Sequence, residues 1–221
     1  MNIKDKILLL SLMSVMFSAQ ASEYSTRADQ QKQGKPWYVG GSIGWANSSA
    51  SLGDMNHRFT ATGMNAVATE VDDKDTAYDV RIGYAFDRHW SLEVGYKDLG
   101  EVLVRFTGRY QDADAFFDAV EHVHPESGEG YFIAGNYHYY FTDEIAVFGK
   151  LGYFDWEGKY VTTDVGDPVG HDKMKGNTWF YGLGLQYDLS KDWAVDAKWE
   201  QFDFDNDTTN VLSVGVVYRF K

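Results

Sequence analysis

The final segment of the chain, Thr209 to Phe220, alternates between two kinds of side chain. Its apolar face consists of Leu212, Val214, Val216, Tyr218 and Phe220. The intervening residues are mostly small or polar. A period of two with one apolar face is what a strand of a closed membrane barrel requires. The segment therefore predicts a barrel strand close to the end of the sequence.

The first residues have the features of a secretory signal. Lys4 and Lys6 precede an apolar run, and Ala19-Gln20-Ala21 matches a small-x-small cleavage site. That run is too short to span a bilayer as a helix. We therefore expect residues 1–21 to be a removed signal peptide. The polar, aperiodic residues 22–36 are predicted to form a periplasmic lead-in, and residues 37–221 the barrel.

Composition narrows the class of protein further. The formal net charge of −13 argues against nucleic-acid binding, which depends on Lys and Arg at phosphates. The chain has no cysteine, so neither disulfides nor thiol chemistry is available. No segment after the signal approaches the roughly 18 to 20 apolar residues of a spanning helix. A membrane protein without helical spans can only be a closed barrel.

Eight alternating segments of about ten residues follow the lead-in, each long enough to cross a bilayer as a tilted strand. They lie near 37–46, 76–86, 90–99, 130–141, 145–154, 178–188, 193–202 and 209–220. The sequence thus predicts an all-β fold, an eight-stranded antiparallel up-and-down transmembrane β-barrel.

The connections alternate in length. Those at 87–89, 142–144 and 189–192 are short. The others, near 47–75, 100–129, 155–177 and 203–208, are mostly much longer. This alternation is typical of short periplasmic turns and longer outer loops, with both chain ends on the periplasmic side.

Alternation alone does not decide which face meets lipid, because a soluble lipocalin-like barrel has an apolar interior. One face here has aliphatic residues flanked by aromatic ones, as expected of the two interfacial girdles. The other face is rich in glycine and charge, which suits a lumen with room only for side chains. We therefore expect a lumen charge network of Asp79, Arg81, Glu93, Lys97, Lys150, Asp196, Lys198 and Glu200.

Four sequence motifs lie on the predicted strands and at their turns. They are Trp37-Tyr38-Val39-Gly40-Gly41, Trp90-Ser91-Leu92-Glu93-Val94-Gly95-Tyr96 followed by Asp98-Leu99-Gly100, Tyr139-Tyr140-Phe141-Thr142-Asp143 and Val214-Gly215-Val216-Val217-Tyr218-Arg219-Phe220. In these motifs the chain resembles small outer-membrane barrels of Gram-negative bacteria. Over Trp37 to Phe220 it is similar to the transmembrane domain of outer membrane protein A and to the opacity-protein and outer-membrane-protein-X-like families.

This resemblance implies a location in the outer membrane, in contact with lipopolysaccharide. It also implies that Phe220, which Lys221 follows, is the assembly signal for the barrel-insertion machinery. The lumen charges have two interpretations. They are either a salt-bridge gate that rearranges to admit ions, as the resemblance to outer membrane protein A would imply, or a closed interior whose charges satisfy one another.

Two further groups of residues suggest other chemistry. His122, His124 and Ser127 could indicate a lipid-modifying hydrolase, but no strained Gly-x-Ser-x-Gly turn surrounds Ser127. Acidic loop residues could hold divalent cations that bridge to lipopolysaccharide, although solvated loop charge is the simpler interpretation. These residues are Asp72, Asp73, Asp75, Asp112, Asp114, Asp118, Asp203, Asp205 and Asp207. We predict no cofactor, metal centre or catalytic site.

The second outer loop, 100–129, is the longest and least polar. Val102, Val104 and Phe106 alternate, so the third strand is expected to extend beyond the membrane, and Phe116, Phe117 and Val120 follow at helical spacing. The sequence as a whole predicts a barrel that anchors surface loops able to contact a host or cell-surface ligand. A narrow porin-like pore for ions or small solutes is the alternative, and a membrane-embedded hydrolase the third possibility.

Overall fold

The computed structural model describes residues 35–62, 66–108, 127–164, 167–204 and 207–220. Eight of its strands close into one barrel in which every neighbouring pair is antiparallel. These are β1 (Trp37–Ser48), β3 (Lys74–Ala85), β4 (Trp90–Asp98), β6 (Glu129–Tyr140), β7 (Ile145–Asp164), β8 (Asp167–Asp188), β9 (Trp193–Asp203) and β10 (Thr208–Phe220). The predicted fold class is confirmed. The proposed signal peptide lies outside the described residues.

Three more elements lie at the end of the barrel opposite the short turns. They are helix α1 (Leu52–Thr62) and the strands β2 (Ala66–Asp72) and β5 (Leu103–Gly108). β2 and β5 pair with each other as a separate two-stranded sheet. We call α1, β2 and β5 together the outer cap. None of the described helices is long and apolar enough to cross a membrane.

The three short turns share one local structure. A side-chain oxygen at Asp87, Thr142 or Ser190 accepts hydrogen bonds from the backbone N–H groups two and three residues later, at 2.6 to 3.2 Å. Asp, Thr and Ser are suited to this because their short polar side chains reach nearby backbone donors. Each turn therefore closes its hairpin locally, which is consistent with the recurring hairpin unit of the sequence.

The two faces of the strands differ as the alternation predicts. Outward positions of β8 such as Leu183 and Leu185 are 62% and 55% exposed, whereas inward Gln186 and Phe180 are buried. At the turn end, the lead-in is attached to the barrel. Lys35 Nζ lies 2.7 Å from an Asp192 carboxylate oxygen, and the Pro36 carbonyl accepts a hydrogen bond from the Ala85 amide.

The segment 155–177, which the sequence predicts as a long outer connection, consists largely of strand. β7 and β8 continue past the barrel, paired as far as Asp164 and Asp167. The last pairing of β7 with β6 is at Glu157, and that of β8 with β9 begins at Phe180. Residues 158–164 and 167–179 therefore form a two-stranded ribbon beyond the barrel, here called the ribbon. Its glycines and Pro168 interrupt the alternation by which strands were recognised.

The expectation that the third strand extends past the membrane is wrong. β4 ends at Asp98, and a turn at Gly100, with φ of +76°, redirects the chain. The Asp98 carboxylate accepts a hydrogen bond from the Gly100 amide at 2.8 Å, and Asp75 accepts one from the Glu101 amide at 2.9 Å. Only a residue without a side chain fits here, because an added Cβ would lie 2.5 Å from Asp75 Cβ.

The helix in the outer cap was not predicted. Ser51 caps it, since its hydroxyl accepts a hydrogen bond from the Asp54 amide at 3.1 Å, a Ser-x-x-Asp signature that the sequence shows. Met55 and Phe59, one turn apart, are fully buried. The Asn56 amide bonds both backbone groups of Ala68, at 3.1 and 2.7 Å, and so joins α1 to β2.

Candidate functional site

All eight charged residues of the expected lumen network lie inside the barrel, on β3, β4, β7 and β9. None is more than 6% exposed. Four are acids and four are bases, so their formal charges cancel. Leaving any of these charges unpaired in the interior would cost several kcal/mol, about 3 to 5. The lumen is thus an electrically balanced layer.

Six of the eight form a closed ring in which acids and bases alternate. The order around the ring is Asp79, Arg81, Glu93, Lys150, Glu200, Lys97 and back to Asp79. The nitrogen–oxygen distance is 2.7 Å for Arg81 with Asp79 and 3.4 Å for Arg81 with Glu93. It is 2.8 Å for Lys150 with Glu93 and 3.6 Å for Lys150 with Glu200. Lys97 forms a direct ion pair with Glu200 and closes the ring 4.0 Å from Asp79. We call this arrangement the charge ring.

The remaining two charges attach to the ring. Asp196 contacts Arg81 at 2.5 Å, and Lys198 contacts Asp79 at 2.6 Å. The Ser42 hydroxyl donates to Asp79 and accepts from Lys198 Nζ at 2.9 Å. Each acid and base of the network therefore has at least one opposite charge beside it, although they come from strands far apart in sequence.

An aromatic layer covers the charge ring on the side of the outer cap. It consists of Phe132, Phe154, Phe180 and Phe202, each no more than 4% exposed. Phe180 and Phe202 stack with centroids 4.8 Å apart, and Phe154 meets Phe202 edge-on at 5.5 Å. We call these four rings the phenylalanine layer. The four rings belong to one buried apolar cluster above the charges.

Inward glycines make room for these rings. A Cβ added at Gly152 would lie 2.4 Å from the Phe180 ring, and one at Gly95 would lie 2.8 Å from the Phe132 ring. The sequence predicts glycines on the inward face, but the phenylalanines were not predicted to lie there. Part of the signal was present in the sequence, because Phe154 and Phe202 have the same inward parity as Lys150 and Glu200 on their strands.

Lys97 joins the charge ring to the phenylalanine layer. Its Nζ lies 5.4, 5.3 and 5.1 Å from the ring centroids of Phe132, Phe180 and Phe202. Distances within about 6 Å allow favourable cation–π attraction. The ammonium group is therefore held by its ion pair with Glu200, by the longer contact with Asp79 and by three aromatic rings at once.

The turn end of the lumen is closed by other residues. The Tyr38 hydroxyl lies 3.0 Å from both the Ser91 hydroxyl and the Glu93 carboxylate. Asp188 and Arg219 form an ion pair of 2.6 Å nearer the turns. The lumen thus has a polar and aromatic closure below the charge ring as well as above it.

Phe220, the expected assembly signal, pairs with Trp37 at the junction of β1 and β10. Its ring stacks on Tyr218 with centroids 6.4 Å apart. Phe220 therefore lies at the end of β10 that adjoins the short turns. Its role in assembly stays a prediction.

The structure describes only some residues of the other candidate sites. Ser127 Oγ donates to the Gly100 carbonyl at 2.8 Å, while His122 and His124 lie outside the described residues. Asp72 and Asp75 accept hydrogen bonds from nearby backbone amides. Within the described ranges, no three His, Cys, Asp or Glu side chains are placed to hold a metal ion. Asp112, Asp114, Asp118 and Asp205 fall outside those ranges.

Comparison with models of protein families shows which family the chain belongs to. The outer membrane protein beta-barrel domain family matches residues 7–220. The chain belongs to this family. As a member of it, this barrel resides in the outer membrane, and its outward aliphatic bands face lipid. No curated protein matches the sequence.

Three solved outer-membrane barrels are similar to this chain. The N-terminal barrel domain of Pseudomonas aeruginosa OprF is 13% identical, with a TM-score of 0.47, over 84% of this chain and 98% of that one. Ail, the attachment invasion locus protein of Yersinia pestis, is 15% identical, with a TM-score of 0.47, over 84% and 99%. Neisserial surface protein A is 13% identical, with a TM-score of 0.46, over 83% and 97%. Likenesses at such low identity say nothing of function.

Proposed function

We propose that this outer-membrane protein is a closed barrel that holds the outer cap and the ribbon at the cell surface, where they contact lipopolysaccharide, host surfaces or neighbouring cells. The observation that carries the proposal is the filled lumen. Its charge ring lies between the phenylalanine layer and the Tyr38 closure, so side chains occupy the cross-section at three levels. A barrel filled in this way is suited to anchoring rather than to transport.

The ribbon is the part of the surface best suited to a partner. In the described part of the chain, β7 beyond Glu157 and β8 before Phe180 pair only with each other, so the outer edge of each strand has no partner strand. Unpaired strand edges offer backbone donors and acceptors to an added strand. An extended segment of a partner could therefore extend the ribbon on either side.

Shortening the ribbon tests this role. Residues 159–173, between the paired residues Gly158 and Met174, would be replaced by Asn-Gly, a dipeptide suited to a tight hairpin turn. Bacteria expressing this variant should adhere less to an epithelial monolayer and to one another than bacteria expressing the full chain. The control is Asp143→Asn, in a turn on the other side of the membrane. Equal adhesion of the shortened and full-length proteins, at equal surface amounts, would contradict the proposal.

The proposal includes the maturation of the chain. Cleavage after Ala21 would leave a mature protein that begins at Ser22, with residues 22–36 as the periplasmic lead-in. The contact between Lys35 and Asp192 supports a lead-in that ends beside the periplasmic turns. The intact mass of protein purified from outer membranes tests this, and a mass that retains residues 1–21 would refute it.

A narrow pore is the second candidate function, and the geometry of the charge ring is the observation that favours it. Two ring contacts are long, 4.0 Å for Lys97 with Asp79 and 3.6 Å for Lys150 with Glu200. Small movements of the Lys97 and Lys150 side chains would therefore be enough to exchange their carboxylate partners. Planar-bilayer recordings of the wild type and of Arg81→Ala separate the pore from the anchor. Steady, charge-sensitive steps altered by the substitution would favour the pore, whereas silence from both proteins would favour the anchor.

We propose no catalytic role. The Ser127 hydroxyl donates a hydrogen bond to the Gly100 carbonyl. An activated serine nucleophile would instead donate one to a general base. The mass of lipid A from cells with and without the protein tests for hydrolase activity. A mass change that requires Ser127 would establish it.

A further inference from the structure

The ribbon has two outer edges, and the hydrogen bonds at the start of β7 show which residues direct backbone groups towards them. The Ile145 carbonyl accepts a hydrogen bond from the Phe141 amide on the β6 side, and the Glu144 carbonyl accepts one from the Asp188 amide on the β8 side. Alternate residues of an antiparallel strand direct their backbone groups to opposite neighbours. Odd-numbered residues of β7 therefore face away from β8, because the register between the two strands is unbroken from Ile145 to Thr162.

Beyond the barrel this alternation leaves a row of backbone groups on each edge of the ribbon. On β7 the row belongs to Lys159, Val161 and Thr163, since the extra residue at the irregularity near the tip, Val169, lies on β8. His171 lies directly opposite Val161 and directs its backbone groups to the other edge. Among the described strands, none pairs with the edge row of β7.

The two edges differ in sequence. β8 contains Pro168 and Gly170, and its edge-directed residues include Lys173 and Lys175. Proline and lysine at a sheet edge disfavour the addition of another strand. β7 has the segment Tyr160-Val161-Thr162-Thr163, whose aromatic and β-branched residues favour strands. The receptive edge of the ribbon is therefore that of β7.

Charge does not prevent one ribbon from approaching another. The whole chain has a formal net charge of −13, so two copies repel each other in general. The described residues of the ribbon are balanced, with Lys159, Lys173 and Lys175 against Asp164, Asp167 and Asp172. The ribbon is thus a neutral projection on an acidic protein, which suits contact with a second copy.

The β7 edge is also complementary to itself. When Val161 lies opposite Val161 of a second copy, Lys159 lies opposite Thr163 of that copy, so every edge-directed residue meets another one. Tyr160 then lies opposite Thr162 of the second copy, a pairing of aromatic and β-branched residues that stabilises sheets. No two like charges are directly opposite in this register.

We propose that the β7 edges of two copies of this chain pair in this way, as antiparallel strands centred on Val161, between apposed membranes. In copies that share one membrane, β7 runs in the same direction, from Ile145 at the turn end to Asp164. Antiparallel pairing requires opposite directions, which copies in two facing membranes provide. The partner is therefore the same protein on a neighbouring cell. This contact rests on the proposed function, in which the ribbon lies at the cell surface.

The test uses the full-length protein in two batches of phosphatidylcholine vesicles that carry different fluorescent lipids. Pairing between membranes tethers vesicles of the two colours, which flow cytometry counts, whereas pairing within one membrane does not. Wild-type vesicles should tether. Val161→Pro removes a backbone donor from the β7 edge and should lower tethering to the level of protein-free vesicles. His171→Pro is the matched control, because it removes a donor from the opposite edge of the same ribbon, and it should leave tethering unchanged.

A charge exchange tests the register. Val161→Lys places two lysines opposite each other, and Val161→Asp two aspartates, so vesicles that carry either variant alone should not tether. Vesicles with Val161→Lys should tether to vesicles with Val161→Asp, a rescue that misfolded protein cannot give. The proposal is overturned if wild-type vesicles stay separate, if His171→Pro loses as much tethering as Val161→Pro, or if the mixed variants show no rescue.

The same measurements separate this contact from the broader surface role. Wild-type vesicles that do not tether, together with adhesion to an epithelial monolayer that is lost when the ribbon is shortened, would overturn the pairing of two copies and leave the proposed function intact. Heat-dependent gel mobility establishes that each variant is folded in the vesicles.

Discussion

Lys97 on β4 and Glu200 on β9 form a direct ion pair across the lumen, between strands that share no backbone ladder. β4 is paired with β3 and β6, whereas β9 is paired with β8 and β10. The pair therefore joins opposite walls of the barrel. Because the rings of Phe132, Phe180 and Phe202 surround the ammonium group, the ion pair and the phenylalanine layer are parts of one packed unit.

Removing one member of this pair should be more harmful than removing both. Glu200→Gln leaves the Lys97 charge without its nearest partner, and we expect it to lower the free energy of unfolding by about 3 to 5 kcal/mol. The double variant Lys97→Met, Glu200→Leu removes both charges and should lose less. Urea titration of the refolded proteins measures both values. The single variants Lys97→Met and Glu200→Leu complete the cycle; if the double variant loses the sum of their two losses, the two charges do not act as a pair.

Glycines on the two faces should respond differently to a methyl group. At inward Gly83 an added Cβ would lie 2.1 Å from the Tyr38 ring, whereas at outward Gly135 nothing lies within 4 Å. We expect Gly83→Ala to destabilise the barrel by about 1 to 3 kcal/mol through overpacking. Gly135→Ala should be neutral or slightly stabilising. Equal effects in urea titrations would mean that the inward position has more room than the structure gives it.

A charge on the lipid face should reveal where the hydrocarbon lies. Val80 is outward on β3 and 57% exposed to the surroundings of the barrel. We expect Val80→Lys to cost about 2 to 4 kcal/mol, as at a bilayer midplane. Val67, on β2 of the outer cap and 50% exposed, is the matched control. Val67→Lys should change the stability in lipid vesicles little, because it lies in water; a similar loss at both sites would argue against the membrane placement.

Phe220→Ala tests the assembly signal. We expect less folded protein in the outer membrane of expressing cells, because the insertion machinery would recognise the strand less well. Refolding of the purified variant into detergent should be nearly normal, since Phe220 is at the end of β10 and half-buried. Heat-dependent gel mobility measures the folded fraction in both settings. An equal loss in cells and in detergent would indicate a structural role instead.

The strand pattern could be predicted because outward and inward residues alternate along most of the barrel. The partners within the charge ring could not. Which inward residues meet depends on the tilt and stagger with which the strands close, as the pairing of Lys97 with Glu200 shows. The ribbon was also missed, since Gly170, Gly176 and Pro168 interrupt the period of two there. Its two strands pair with each other from Gly158 and Met174 to Asp164 and Asp167.

The pairing of Trp37 with Phe220 places the two ends of the barrel side by side. The ladder between β1 and β10 continues without a break to Ser48 and Thr209. These two strands are therefore paired in the same way as strands that are neighbours in the sequence. A short linker could therefore join the two ends, and the chain could be opened instead in one of the surface connections. Such a circular permutant would keep every strand pair and would present a free terminus outside the cell.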